Sequence, residues 1–252
     1  MKTISKKEIT QFDQNGFLIK KKFFKKSFVH KILKEINMLK SDGNNKKVDK
    51  YYVHTFRNDR KSKLVRIENF YKKSKYLTKL IDDKSIKQIL IKLLKNKPTL
   101  FKEKINFKPP GCGPDKLHQD SQAGWNKYTK NYINVLLSVE KSTNKNGCLH
   151  IDISGNNCSK IISRKMKPLK MKELKNPKFK KLLLKEGDVV LFNSYTPHFS
   201  NSNNSKKGRS QIYMTYNKEI DGKFRTRYIR DKRKNFPPNN ERSPSKDYFY
   251  KV

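Results

Sequence analysis

The sequence has few of the features that mark secreted, disulfide-stabilised or membrane-spanning proteins. Its three cysteines, Cys112, Cys148 and Cys158, form no C-x-x-C pair and cannot all pair with one another, which fits a reduced, intracellular setting. No segment approaches the ~20 apolar residues that span a bilayer, and the N-terminus lacks an apolar run of signal-peptide type. We therefore expect a soluble, cytoplasmic protein with no membrane partner.

Acidic residues are also scarce, with 22 Asp and Glu against 61 Lys and Arg, which gives a net charge of +39. Such a charge invites a nucleic-acid-binding interpretation. However, 51 of the 61 basic residues are lysines spread along the whole chain, and arginine, the better ligand for phosphates and base edges, is rare. We favour a solvated lysine surface, so nucleic acid is not the expected partner. A catalytically silent basic protein that binds nucleic acid or another acidic partner is the alternative.

The first 98 residues predict a mostly helical scaffold. The pattern Ser5-Lys6-Lys7-Glu8 is a capping box, which predicts a short helix that ends near Gly16 and is followed by a brief strand. Apolar residues at helical spacing predict further helices over residues 28–39 and 77–94, and Pro98 closes the second region. Nothing in these helices suggests chemistry.

From Thr99 onward the apolar period changes to two, which is typical of strands. Phe101, Glu103, Ile105 and Phe107 alternate with Lys102, Lys104, Asn106 and Lys108, so this strand has two different faces. Further strands are predicted over residues 132–140, 148–154, 187–193 and 209–216, with a lysine-rich connection over 160–186 that is partly helical or forms a lid. Short strands between Gly, Pro and Asn turns predict one domain, mainly β with flanking α-helices: a jelly-roll (cupin-like) core over 99–217 and a basic tail over 218–252.

The sequence His118-Gln119-Asp120 is the first candidate for chemistry. Residues i and i+2 of an extended segment point to the same side, so His118 and Asp120 can reach one metal ion, and His198 can approach from a neighbouring strand. Two histidines and one carboxylate hold non-haem Fe(II) with open positions for O2 and a co-substrate. Arg209 and Ser200, on either side of a turn-rich segment, can bind the far carboxylate of a keto-acid. This pattern predicts an iron site with a keto-acid co-substrate.

A second H-x-D sequence, His150-Ile151-Asp152, competes with the first for the metal. His118 follows a turn rich in Gly and Pro and precedes a polar, open stretch, whereas His150 lies inside a short alternating strand. A catalytic metal site needs access and open positions, so we favour His118 and interpret His150 as a strand histidine with its hydrogen bonds satisfied.

Together these residues resemble the phytanoyl-CoA dioxygenase family of Fe(II)/2-oxoglutarate enzymes. The resemblance covers nearly the whole chain in the family's order: Gly16-Phe17, His118-Gln119-Asp120, Gly147-Cys148-Leu149, Gly187-Asp188-Val189, His198, Ser200 and Arg209. It implies a double-stranded β-helix. It also implies Fe(II) held by His118, Asp120 and His198, and 2-oxoglutarate held by Arg209, Ser200 and Asn106. O2 is then the second co-substrate.

Within that family, residues 101–108 and 118–120 are similar to bacterial members of the 2-aminoethylphosphonate dioxygenase type. This likeness implies hydroxylation of a small polar, anionic metabolite of phosphonate, betaine or acyl type, with succinate and CO2 as by-products. Family halogenases replace the metal carboxylate with a small residue, and Asp120 is present, so hydroxylation is the expected chemistry. The likeness places Gln122 and Trp125 on the substrate side.

Overall fold

The computed structural model describes residues 2–41, 48–54 and 62–248, and its N-terminal part contains the expected helices. The capping box of Ser5 and Glu8 is present at the start of the first helix, and Gly16 ends it in the left-handed conformation, with φ of 73°. Both predictions for this helix are therefore confirmed. The helices described in this region are α1 (Lys6–Asn15), α2 (Lys26–Ser41), α3 (Lys75–Ile81) and α4 (Lys84–Leu94). Among the described helices, none is long and apolar enough to cross a membrane.

Within the described residues, eleven strands form two antiparallel sheets that pack face to face as a jelly roll, which confirms the expected fold class. The large sheet has the order β1-β9-β6-β11-β4-β3-β2 and the small sheet the order β5-β10-β7-β8. Their bounds are β1 (Phe17–Lys20), β2 (Asp49–His54), β3 (Ser62–Glu68), β4 (Pro98–Lys108), β5 (Asp115–His118), β6 (Tyr132–Ser138), β7 (Leu149–Asp152), β8 (Phe179–Leu182), β9 (Val189–Asn193), β10 (His198–Ser200) and β11 (Arg209–Lys218).

Both faces of the large sheet are covered, which explains why β6 is buried along its whole length. One face packs on the helices, with Ile105 and Ile212 in the same apolar cluster as residues of α2, α3 and α4. The other face packs on the small sheet, where Leu136 and Tyr213 meet Leu149 and Ile151.

The lysine-bearing face of β4 is the one that points into the barrel. Ile105 and Phe107 belong to the helix-covered cluster, so the alternate residues face the small sheet. Lys108 is buried there, with 4% of its surface exposed, and Lys102 is buried against the rings of Trp125 and Tyr228, with 2% exposed. The two faces were predicted from the alternation, but the sequence did not indicate that the charged one lies inside.

Three segments differ from the secondary structure that the sequence predicted, or add to it. The first 98 residues also supply β1, β2 and β3 to the large sheet, of which only β1 was foreseen. The connection over 160–186 contains β8 and a single short 3-10 turn, Met171–Glu173. Over the described part of the expected tail, a fifth helix, α5 (Arg225–Asn235), packs on β4; residues 249–252 lie outside the described residues.

Candidate active site

The antiparallel register of the small sheet brings the two predicted histidines together. His118 at the end of β5 pairs with His198 at the start of β10, and their ring centroids are 4.3 Å apart. Directly opposed residues share a face, and His198 also opposes Ile151, which lies in the interior cluster. Both imidazoles therefore point into the barrel.

The hydrogen bonds of the two rings fix which nitrogen atom faces Asp120. Nδ1 of His118 donates to the carbonyl oxygen of Lys116 at 2.6 Å, and Nδ1 of His198 donates to that of Thr196 at 2.9 Å. A carbonyl oxygen only accepts, so Nδ1 of each ring carries a hydrogen and Nε2 is the atom that can bind a metal. These Nε2 atoms lie 4.0 Å and 3.8 Å from the carboxylate oxygens of Asp120.

Two side chains of the large sheet, Asn134 and Thr215, hold Asp120 in place. The Nδ2 of Asn134 donates to its Oδ2 at 2.9 Å, and Thr215 donates to Oδ1 of Asn134 at 2.7 Å. Burial by itself raises the pKa of Asp120, but Lys104 and His198 lower it, to a net value of about 2. Its carboxylate is ionised at neutral pH.

The three side chains fit a divalent metal of the iron type. Their ligand atoms all lie within 4.8 Å of one another, and the described part of the chain holds no other cluster of three such side chains. Burial, together with the neighbouring His118, lowers the pKa of His198 to about 4, so this imidazole is neutral. Two neutral imidazoles and one carboxylate are the facial donor set of non-haem Fe(II). The His118 side chain keeps 27% exposure, which leaves access from solvent.

The competing H-x-D sequence lies on the opposite face of the small sheet. His150 opposes Phe199 in register and stacks on its ring at 4.5 Å, while Nδ1 donates to the carbonyl oxygen of Cys148. The carboxylate of Asp152 accepts from Asn157 at 2.7 Å and from the backbone of Lys178 at 2.9 Å. These two residues therefore do not meet the cluster formed by His118.

Arg209 begins β11 and lies beside a cavity of about 290 Å³. Its guanidinium is oriented by the carbonyl oxygens of Asn146 and Gly147 and by the side-chain oxygen of Gln211. The walls of the cavity include three cationic and three other polar side chains: Arg66, Asn106, Lys108, Asp115, Arg209 and Tyr213. Such a chamber suits a small anion. Ser200 is buried nearby, but its hydroxyl donates to Asp115.

Two amide atoms in this region are buried and lack a partner within the described part of the chain. Asn106 and Gln211 are paired in register between β4 and β11 and share the inward face. Oδ1 of Asn106 and Nε2 of Gln211 have no hydrogen-bond partner among the described residues. Buried polar groups are nearly always satisfied, so these two atoms fit hydrogen bonds to a ligand or a water molecule in the cavity.

Gln122 and Trp125, the expected substrate-side residues, are both buried. The side chain of Gln122 accepts from the backbone of Gln119 and donates to the carbonyl oxygens of Lys165 and Lys167, so it fixes the 160–186 connection against the site. Trp125 packs edge-on against Phe101, and its Nε1 has no acceptor among the described residues.

Several residues of this region were missed from the sequence: Lys104, Lys108, Asn134, Gln211 and Thr215. Asn134 gave the clearest signal, because it is a lone amide inside an otherwise apolar run. Gln211 and Thr215 share a face with Arg209 by simple alternation. The lysines gave none, since lysine is normally solvated.

Comparison with known proteins gives concordant matches. The family model described as phytanoyl-CoA dioxygenase matches residues 12–211. A 2-aminoethylphosphonate dioxygenase from an uncultured bacterium is 32% identical over 253 residues, covering 98% of this chain and 95% of the relative. A methylphosphonate hydroxylase from Gimesia maris is 32% identical over 137 residues, covering 54% of this chain and 52% of the relative.

Solved structures share the fold at low sequence identity. EctD from S. alaskensis, solved with 2-oxoglutarate and 5-hydroxyectoine, matches with a TM-score of 0.71 at 18% identity, covering 86% of this chain and 77% of EctD. The epimerase SnoN, solved with Fe3+, alpha ketoglutarate and nogalamycin RO, matches with a TM-score of 0.68 at 14% identity, covering 84% of this chain and 82% of SnoN.

Proposed function

The chain belongs to the phytanoyl-CoA dioxygenase family and is an Fe(II)- and 2-oxoglutarate-dependent dioxygenase, and from this premise we propose that it hydroxylates a small phosphonate. The observation that carries the proposal is the lysine-bearing face of β4, which places Lys104 inside the barrel near Asp120. The full-length likeness to a 2-aminoethylphosphonate dioxygenase supports the same substrate class.

In this proposal His118, Asp120 and His198 hold the iron. The hydrogen bonds at Nδ1 of each histidine keep the lone pair of Nε2 available, and Asn134 keeps the carboxylate turned toward them. When bound, iron and 2-oxoglutarate supply the oxidative chemistry: O2 is consumed, 2-oxoglutarate becomes succinate and CO2, and a substrate C–H bond becomes C–OH.

Arg209, Ser200 and Asn106 are the proposed residues for 2-oxoglutarate. Arg209 retains guanidinium hydrogens beyond the three that its protein partners accept, and it lines the cationic cavity. Asn106 contributes an amide whose oxygen lacks a partner among the described residues. These side chains orient the co-substrate and exclude water from its carboxylate.

The phosphonate group is assigned to Lys104. Its ammonium lies 4.8 Å from the centre of the Tyr213 ring, and Tyr213 also lines the cavity of Arg209. An anion held there lies between the iron ligands and the inner face of β4. In this proposal Trp125, whose Nε1 has no acceptor among the described residues, donates to the substrate, and Gln122 shapes the substrate wall through the 160–186 connection.

Oxygen uptake and phosphorus NMR test the proposal together. We expect 2-oxoglutarate-dependent oxygen uptake with 2-aminoethylphosphonate or methylphosphonate, one succinate formed per phosphonate consumed, and a new hydroxylated phosphonate signal. A betaine and an acyl-CoA thioester are the competing substrates. Turnover of either of these with no phosphonate consumption would overturn the substrate class.

A variant pair tests the role of Lys104. We expect Lys104→Met to raise the KM for the phosphonate by about tenfold or more, because a hydrogen bond to a charged group contributes roughly 1.5–3 kcal/mol. The KM for 2-oxoglutarate should change little. Lys130→Met, at an exposed lysine, is the control. An unchanged phosphonate KM in Lys104→Met would remove Lys104 from the substrate site.

A further inference from the structure

Lys108, Ser200 and Asp115 form a polar cluster at the wall of the Arg209 cavity. Lys108 opposes Arg209 in register and is buried. Its ammonium donates to Oγ of Ser200 at 2.5 Å and to Oδ2 of Asp115 at 2.9 Å. The hydroxyl of Ser200 donates to that same oxygen of Asp115. One carboxylate oxygen therefore accepts from both neighbours.

This arrangement conflicts with the assignment of Ser200 to 2-oxoglutarate. A serine hydroxyl has one proton and donates one hydrogen bond, so Ser200 donates either to Asp115 or to the co-substrate. The two carboxylates also repel each other at close range. Asp115 and the C5 carboxylate of 2-oxoglutarate thus compete for one set of donors.

Resting on the proposed roles of Ser200 and Arg209, we propose that Lys108 is a further ligand of the 2-oxoglutarate C5 carboxylate. Asp115 occupies this subsite until the co-substrate arrives. Binding then exchanges one carboxylate for another, with Ser200 and Lys108 redirecting their hydrogens and no covalent bond broken.

Asp115 can leave without disturbing the core. Its side chain is 62% exposed, whereas that of Lys108 is 5% exposed. It follows the irregular segment 112–114, and the register of β5 with β10 is irregular between His198 and Ser200. Lys108 cannot follow it to solvent, and a buried ammonium needs an anion. The incoming carboxylate supplies that anion.

Anaerobic titration of the Fe(II) enzyme with 2-oxoglutarate tests the exchange without turnover. Binding is followed by the visible charge-transfer band that forms when 2-oxoglutarate is added to the Fe(II) enzyme. We expect Asp115→Asn to tighten 2-oxoglutarate binding about fivefold or more, because the competing charge is removed. Lys108→Met should weaken binding more than tenfold, and Lys108→Arg, which keeps the charge, should recover part of the loss. Asp13→Asn and Lys130→Met, both at exposed positions, are the matched controls.

Thermal unfolding with and without 2-oxoglutarate gives an independent readout for variants that lose the band. We expect the stabilisation by 2-oxoglutarate to be larger in Asp115→Asn than in the wild type, and smaller in Lys108→Met. Unchanged or weaker binding in Asp115→Asn would show that Asp115 is a fixed partner of Lys108 and would overturn the exchange. Wild-type affinity in Lys108→Met would remove Lys108 from the subsite.

These two measurements test the 2-oxoglutarate subsite separately from the proposed substrate, because neither of them contains the phosphonate. Failure of phosphonate turnover leaves these predictions intact. Failure of the Asp115 and Lys108 variants leaves the substrate class intact.

Discussion

His118 and His198 lie directly opposite each other in antiparallel register, with ring centroids 4.3 Å apart. Because opposed residues share a face of the sheet, this single pairing turns both rings toward Asp120. His150, which opposes Phe199, is out of phase by one residue and faces away. Strand register therefore determines which H-x-D sequence reaches the interior.

This register predicts opposite results for two histidine variants. We expect His118→Ala to abolish the charge-transfer band that forms when 2-oxoglutarate is added anaerobically to the Fe(II) enzyme, because one iron ligand is lost. His150→Ala should retain the band, since His150 stacks on Phe199 outside the cluster. Loss of the band in His150→Ala with retention in His118→Ala would show that the metal lies at the other sequence.

Arg209→Lys tests whether the fork of the guanidinium is needed for the proposed binding of 2-oxoglutarate. Lysine keeps the charge but cannot form two parallel hydrogen bonds, and it cannot replace all three contacts that Arg209 makes with Asn146, Gly147 and Gln211. We expect 2-oxoglutarate affinity to fall by about tenfold to a hundredfold, with Fe(II) affinity preserved. Calorimetric titration of each ligand measures both. An unchanged 2-oxoglutarate affinity would exclude Arg209 from the site.

Asn134 and Thr215 are expected to act through Asp120. Asn134→Leu removes the donor to the carboxylate, and residues of this kind typically change metal affinity by about 10- to 100-fold. Thr215→Val removes only the hydrogen bond to Oδ1 of Asn134, so we expect a smaller loss of Fe(II) affinity. Competition with a chelator measures the Fe(II) dissociation constant, and Thr10→Val, on an exposed turn of α1, is the control. Equal affinity in Asn134→Leu and wild type contradicts the assignment.

The pair of Glu68 and Lys232 predicts an acid-sensitive contact between α5 and the barrel. Burial raises the pKa of Glu68, but Lys232, Lys102 and Arg66 lower it more, from 4.5 to about 2. A carboxyl group whose pKa is lower in the folded chain than in the unfolded chain stabilises the fold at a pH above its unfolded pKa. This stabilisation is lost as the pH falls toward the folded pKa.

We therefore expect the unfolding free energy of the wild type, relative to Glu68→Gln, to decrease by about 2 kcal/mol between pH 5 and pH 3. Urea unfolding at each pH measures this difference, and Glu186→Gln, at an exposed position, is the control. A difference that does not change with pH would show that the charge of Glu68 does not stabilise the docking of α5.

Local patterns were enough to predict much of the architecture. The capping box of Ser5 and the left-handed Gly16 delimit α1 as expected, and period-two alternation located β4, β6, β7, β9 and β11. The strands β2 and β3 were missed because their apolar residues, Tyr51-Tyr52-Val53 and Leu64-Val65, are adjacent and do not alternate with polar ones. Pairing of β3 with β4, a contact distant in sequence, accounts for them.

The sequence by itself determined the chemistry that is available: two histidines, a carboxylate, a serine and an arginine, in the order and spacing of one enzyme family. It also determined which residues share a strand face, because the alternation of a strand is local. The tertiary structure decided which face is inside, because that depends on what covers each side of the sheet. Helices cover the apolar face of β4, so Lys104 and Lys108 point into the barrel and give its interior positive charge.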